Sequence, residues 1–187
     1  MAVPKVSAAH LEARRAQILD GARSCFARWG FAGTTVARLE EEIGLSRGAI
    51  FHYFPSKWEL FWELATRDQS RALEAFVEGG LDAMLDVFFE GDPAWLGVYF
   101  EASGILARDP ELFEKWIKRT PDLQGRAQER LERMQRDGEI RDDVPLSEVS
   151  RFIGIVADGL VMRRAFDLEL DRDALVRLVR DALAPRE

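Results

Sequence analysis

The sequence predicts an all-α fold, with an N-terminal three-helix domain of helix-turn-helix plan followed by a larger C-terminal helical domain. Three observations carry that expectation. Apolar residues fall on helical faces between recognisable caps, and no stretch sustains the period-two alternation of β-branched residues that a strand requires. Breakers stand at Gly79-Gly80, Gly91-Asp92-Pro93, Asp109-Pro110, Thr120-Pro121, Gly138 and Pro145. Helices are expected over about 10–29, 35–43, 46–53, 56–78, 80–90, 93–107, 110–118, 121–137, 147–167 and 171–183, each end uncertain by roughly two to four residues.

The first helix contains the single cysteine, Cys25, expected to fill the core. One thiol makes neither an internal disulfide nor a cysteine metal site, which fits a reducing cytoplasm. Residues 1–10, with Lys5 and His10, read as a loose solvated arm.

Residues 34–57 are the most informative segment. A hydroxyl from Thr34 or Thr35 can accept a bond from an otherwise unpaired backbone N–H at a helix start. Val36, Leu39 and Ile43 then share one helical face. Gly44 stands where the chain leaves a helix through a left-handed residue, which glycine adopts without a Cβ penalty. Ser46 caps a second short helix, whose buried side continues through Ile50 and Phe54. Pro55 ends it by pushing the preceding residue out of the helical region. Ser56 caps a third helix, with Glu59 at the reciprocal capping-box position. Helix, glycine turn and short second helix is the plan of a helix-turn-helix, whose second helix enters the DNA major groove.

The second helix carries suitable chemistry. Arg47, one residue inside its N-terminus, can fork onto guanine O6 and N7 or hold a phosphate. Gly48 lets the backbone approach closely, and His52, Tyr53 and Lys57 suit phosphate oxygens. With Thr34, Thr35, Ser46 and Phe51 they make up the expected DNA-contacting set. Singly, such residues are common on any solvated helix; the set, with caps and turn in register, carries the argument.

The matching elements are Gly30-Phe31-Ala32-Gly33-Thr34-Thr35-Val36, Leu45-Ser46-Arg47-Gly48-Ala49-Ile50-Phe51-His52-Tyr53-Phe54 and Ser56-Lys57-Trp58-Glu59-Leu60. Through them the segment from about residue 14 to residue 65 resembles the DNA-binding domain of the TetR family of bacterial transcription regulators. That family usually ends its recognition helix with tyrosine followed by histidine-phenylalanine, whereas this chain reads Phe51, His52, Tyr53, Phe54. A narrower likeness is carried by Arg38 to Glu41, by Asp109-Pro110 with Lys115-Trp116-Ile117, and by Asp137-Gly138 leading to Arg141 and Pro145. These look like the aconitase repressors of actinobacteria, a branch that controls a citric-acid-cycle gene and is linked to citrate. The resemblance implies a homodimeric repressor on a palindromic operator, released by a small-molecule effector. It also implies a dimer interface of four helices built from the last two of each chain. The expected domains are a helix-turn-helix DNA-binding domain over 1–55 and a helical, effector- or ligand-binding and dimerisation domain over 56–187.

Composition is compatible with this. The chain has 187 residues, nearly half of them apolar, and a net charge of −7. Residues 1–65 hold eight Lys and Arg against seven Asp and Glu, leaving eighteen against twenty-six in the remainder. The acidity therefore sits away from the expected DNA face, where only local positive groups matter. Glu40, Glu41 and Glu42 are expected on the solvent side of the first motif helix. No apolar run approaches the roughly eighteen residues of a membrane span, and no apolar signal core is present, so a cytoplasmic protein is expected.

In the body, Phe152, Ile153, Ile155, Val156, Leu160, Val161 and Phe166 are apolar on more than one helical face, and the final helix adds Leu175, Val176, Leu178, Val179 and Leu183. A helix apolar nearly all round is buried on several sides. Phe152, Ile153, Val156, Leu160, Leu175 and Val179 are the expected homodimer contacts, with an intramolecular core as the competing role. The helix from Ser56 is expected to join the two domains as a lever. Tyr99 and Glu101 lie on a mostly apolar helix; with Arg130, Asp158 and Arg163 they form the expected effector pocket, suited to an anionic carboxylate. Surface pairing of these arginines with nearby acids is the competing role. His10 and His52 are far apart, and there is no phosphate loop, nucleophile elbow or metal-spaced pair. No enzyme activity, cofactor or metal is therefore expected. A ligand-independent DNA-binding protein of the same fold is the alternative.

Overall fold

The computed structural model describes residues 8–118 and 121–186, so residues 1–7 of the expected arm, with Lys5, lie outside the described residues, while residues 8–10, with His10, form the first turn of a helix instead of a loose arm. Among the described residues the chain is helical throughout: α1 (Ala8–Gly33), α2 (Val36–Ile43), α3 (Arg47–Tyr53), α4 (Lys57–Phe89), α5 (Pro93–Leu106), α6 (Pro110–Ile117), α7 (Pro121–Arg136), α8 (Leu146–Ala165) and α9 (Arg172–Leu183). Two compact units result, one running to Ala65 and the other starting at Thr66. The first turns of α4 thus belong to the N-terminal unit, beyond the expected boundary at 55/56. Their side chains explain why: Leu60, Phe61, Trp62 and Leu64 are buried, and the Phe31 ring centre lies 4.2 Å from that of Trp58, tilted, and 5.5 Å from that of Phe61, edge-on.

Caps shape the N-terminal unit. Thr35 accepts from the Arg38 N–H at the start of α2, and Ser46 accepts from the Ala49 N–H at the start of α3. Ser56 accepts from the Glu59 N–H at 3.1 Å to begin α4. Gly44 adopts φ +72°, the left-handed conformation the turn between α2 and α3 requires. Ile18, Leu19, Ala22, Cys25 and Phe26 of α1 close over Leu39, Ile43 and Ile50 as a dry core. Burial raises the Cys25 thiol above its ordinary value, as suits a core filler.

The second unit packs α5 and α7 against α8. Its core joins Phe76 and Leu85 of α4 to Leu131, Val149, Ile153, Leu160, Val176, Val179 and Leu183. Two forked ion pairs bind α9 to α4: Arg172 to Asp86 at 2.5 and 2.9 Å, and Arg180 to Asp82 at 3.0 and 2.5 Å. The break expected at Gly79-Gly80 is present as a kink inside α4, where Gly80 takes φ +81° and ψ −163°. Only glycine is at ease there. A kink frees a carbonyl from the helical ladder, and the Arg130 guanidinium donates to that of Val77.

Candidate functional site

Seen from the caps upward, α3 presents its start to solvent. Ser46, Arg47 and Gly48 are exposed while Ile50 is fully buried, so packing of one apolar side fixes which side faces out. No atom lies within 4 Å of where a Gly48 Cβ would stand, so that surface is open. The Arg47 side chain makes no ion pair among the described residues. At the other end of the helix His52 is exposed, with its ring perpendicular to that of Tyr53 at 5.4 Å. Phe51 and Tyr53 are half-buried, and Thr35 is exposed at the start of α2.

Three expectations are corrected. Thr34 is 2 % exposed, and its hydroxyl donates within the core, to the carbonyls of Gly30 at 2.7 Å and Cys25 at 3.2 Å. It ties α1 to α2 and is withdrawn from the DNA-facing set. Lys57 is half-buried, donating to the carbonyls of Phe31 at 2.7 Å and Thr34 at 3.0 Å. With two of its three N–H groups so engaged, it fastens the end of α1 to the start of α4 instead of standing free for phosphate. Glu40 does not point along the solvent side of α2: its carboxylate accepts from the Arg47 backbone N–H at 2.6 Å, bridging the turn. Glu41 and Glu42 are exposed as expected.

The helix-turn-helix and its caps lie within the segment that sequence comparison matches. Residues 18–64 match the model of the bacterial regulatory proteins, tetR family. The HTH-type transcriptional repressor Rv1474c of Mycobacterium tuberculosis is 43% identical over 176 residues, covering 93% of this chain and 94% of that one. The chain belongs to the tetR family. A second relative within it, the HTH-type transcriptional repressor AcnR of Corynebacterium diphtheriae, is 41% identical, covering 87% of each chain. Among solved structures, that of Salmonella enterica GusR superposes with a TM-score of 0.74 at 25% identity, over 96% of this chain and 98% of that one. The protein is thus a helix-turn-helix, DNA-binding transcription regulator of the tetR family and not an enzyme.

The second unit redistributes the remaining expected residues. On α8, Ile153 (9 % exposed) and Leu160 (3 %) face the chain's own core, as does Val179 (4 %) on α9. These three leave the expected interface set. Phe152 remains on the outer side, and Val156 and Leu175 are half-buried. The outer side instead carries Ile155 (63 % exposed) and Phe166 (60 %), named among the apolar residues of the sequence but not as contacts, with Met162 and Phe100 of α5, whose ring meets that of Phe166 at 5.9 Å; Leu178 (67 %) is exposed on α9. The signal was there, since 152, 155, 159, 162 and 166 repeat at helical spacing.

Of the expected effector residues, Tyr99 donates to Asp68 at 3.5 Å, where Trp95 also donates at 2.6 Å. Arg130 lies against α4, over the Phe76 ring at 5.6 Å. Asp158 and Arg163 are exposed on α8, and Asp158 joins the outer apolar stripe rather than an interior pocket. Although the residue as a whole is exposed, partial desolvation holds its carboxyl above the ordinary carboxylate value. Glu101 is half-buried. A surface groove on this unit is lined by Arg164, Glu169, Leu170 and Asp171, none of them in the expected set. No helix among the described residues is long and apolar enough to cross a membrane.

Proposed function

We propose that the protein is a homodimeric repressor whose paired α3 helices enter successive major grooves of a palindromic operator. A small anionic metabolite such as citrate, held in the helical body, releases it. The observation that carries the reading is the start of α3, where an exposed arginine, whose guanidinium makes no ion pair among the described residues, stands beside an open glycine. Arginine at that place suits guanine, while Thr35, Ser46, His52 and Tyr53 suit the flanking phosphates.

Dimerisation is supported by the outer stripe of α8 and α9, where large apolar side chains are 36 to 67 % exposed. Such contiguous exposure on one face marks an interaction surface, and a two-fold dimer matches two half-sites. The anionic effector is supported by Arg130, whose Nε is buried without a hydrogen-bond partner and which makes no ion pair with a carboxylate among the described residues. A carboxylate ligand would satisfy it, and differential affinity of the two states for that ligand would drive release.

Selection of bound duplexes from a random pool tests the operator. The expected result is a two-fold symmetric site. Thermal melting against citrate and other di- and tricarboxylates tests the effector: the melting temperature is expected to rise with concentration, and Arg130→Ala to flatten that rise. An asymmetric selected site, or melting indifferent to every carboxylate, would remove the corresponding half of the proposal.

A further inference from the structure

Beside the recognition helix, the N-terminal unit has a second cationic feature that the function above does not use. Trp29, at the last turn before the kink at Gly30 in α1, is 41 % exposed. Two guanidinium groups stack on it: Arg28 lies 4.9 Å and Arg38 4.0 Å from the ring centre. Arg38 comes from the first turn of α2 and leans back towards the start of that helix, where its Nη1 donates to the Gly33 carbonyl. That bond and the stacking fix its direction without neutralising it. Neither arginine makes an ion pair with a carboxylate among the described residues. Arg28 is fully on the surface, and the exposed Thr35 cap adjoins the cluster in sequence.

The geometry points to a phosphate clamp: Arg28 and Arg38, held by Trp29, grip the DNA backbone outside the groove occupied by α3. The inference rests on the DNA-binding reading above and extends it to a separate surface. Three arguments carry it. Paired guanidinium groups that make no ion pair with a carboxylate among the described residues complement a polyanion, and Arg is suited to phosphate by its fork of N–H groups. Stacking on an aromatic ring orders both side chains before binding, which lowers the entropy lost on contact. The position also fits: in a helix-turn-helix the first motif helix crosses the backbone while the second reads bases. The eight residues of α2 span about 12 Å, so the clamp at one end is a separate surface from the base-reading Arg47 beyond the other end.

The test measures binding of the full-length protein to a mixed-sequence duplex, and to a duplex selected from a random pool, across a salt series. Arg28→Ala is the informative variant, since an exposed side chain can be removed without disturbing the core. Each protomer would lose one phosphate contact. For a dimer the slope of log affinity against log salt should become shallower by about 1.8, from roughly 0.9 per contact. Affinity should fall by the same factor on both duplexes, leaving sequence preference unchanged. Arg28→Lys should recover most of the slope, and Trp29→Phe most of the affinity relative to Trp29→Ala. A parental slope in Arg28→Ala overturns the clamp while the DNA-binding reading stands. A parent protein that binds no duplex overturns the reading and the clamp together.

Discussion

The two units differ in how side chains are committed. In the N-terminal unit nearly every polar residue of the motif is used locally. Thr35, Ser46 and Ser56 cap helices, Glu40 bridges the turn, and Lys57 and Thr34 hold α1 to its neighbours. What remains unpaired, Arg47 above all, stands out against that background. In the second unit the apolar side chains divide instead. One side of α8 and α9 builds the chain's own core, and the other exposes large hydrophobic residues. The first unit leaves Arg28 and Arg47 on its surface without a carboxylate ion pair among the described residues; the second is left with an apolar face to cover. A partner of opposite charge suits the one, and a second copy of the chain suits the other.

Four substitutions break or sharpen that contrast, the largest effect first. Ile155→Glu places a charge in the outer stripe, at a residue 63 % exposed, so the chain should stay folded but become monomeric by sedimentation. Operator affinity should fall by about 10²- to 10⁴-fold as the second half-site is lost. Leu160→Ala, one face round the same helix and 3 % exposed, should instead lower unfolding free energy by about 2–5 kcal/mol in a denaturant titration. Removing the ammonium that grips Phe31 and Thr34, by Lys57→Ala, should cost about 1.5–3 kcal/mol of stability. Its salt slope on DNA should stay parental, in contrast to Arg28→Ala.

The smallest effect concerns pH. The Asp158 carboxyl is raised from its ordinary 3.8 by desolvation. The folded state therefore holds that proton more tightly than the unfolded chain, and the contribution to stability is full below 3.8 and fades as pH rises through the raised value. Asp86 has the opposite sign: hydrogen bonds from Arg172 lower its carboxyl, giving stability that is present above 3.8 and lost as pH falls through the lowered value. Melting followed from pH 3 to pH 7 should show Asp158→Asn gaining slightly on the parent only at the upper end.

Local signals were legible in the sequence because they act over three or four residues. The caps at Thr35, Ser46 and Ser56, the left-handed Gly44 and the break at Gly80 all follow from adjacent chemistry. Facing was harder to read. On a helix as uniformly apolar as α8, nothing in the pattern separates Ile153 from Ile155, and only packing into the core that also holds Phe76 and Val176 puts the first inside. The role of Lys57 was also hidden, since a cation that bonds a distant backbone carbonyl looks the same in sequence as one awaiting an anion. Trp29 gives no signal of its own in the sequence, because its partner Arg38 is nine residues away, across the kink at Gly30.

The central claim is that the exposed start of α3 reads bases. A competition titration measures it directly, by comparing the selected operator with an unrelated duplex for the parent and for Arg47→Ala. The account predicts that the preference for the operator falls by about 5- to 150-fold, the equivalent of roughly 1–3 kcal/mol for one bidentate base contact. An Arg47→Ala protein that keeps the parent's preference would contradict it.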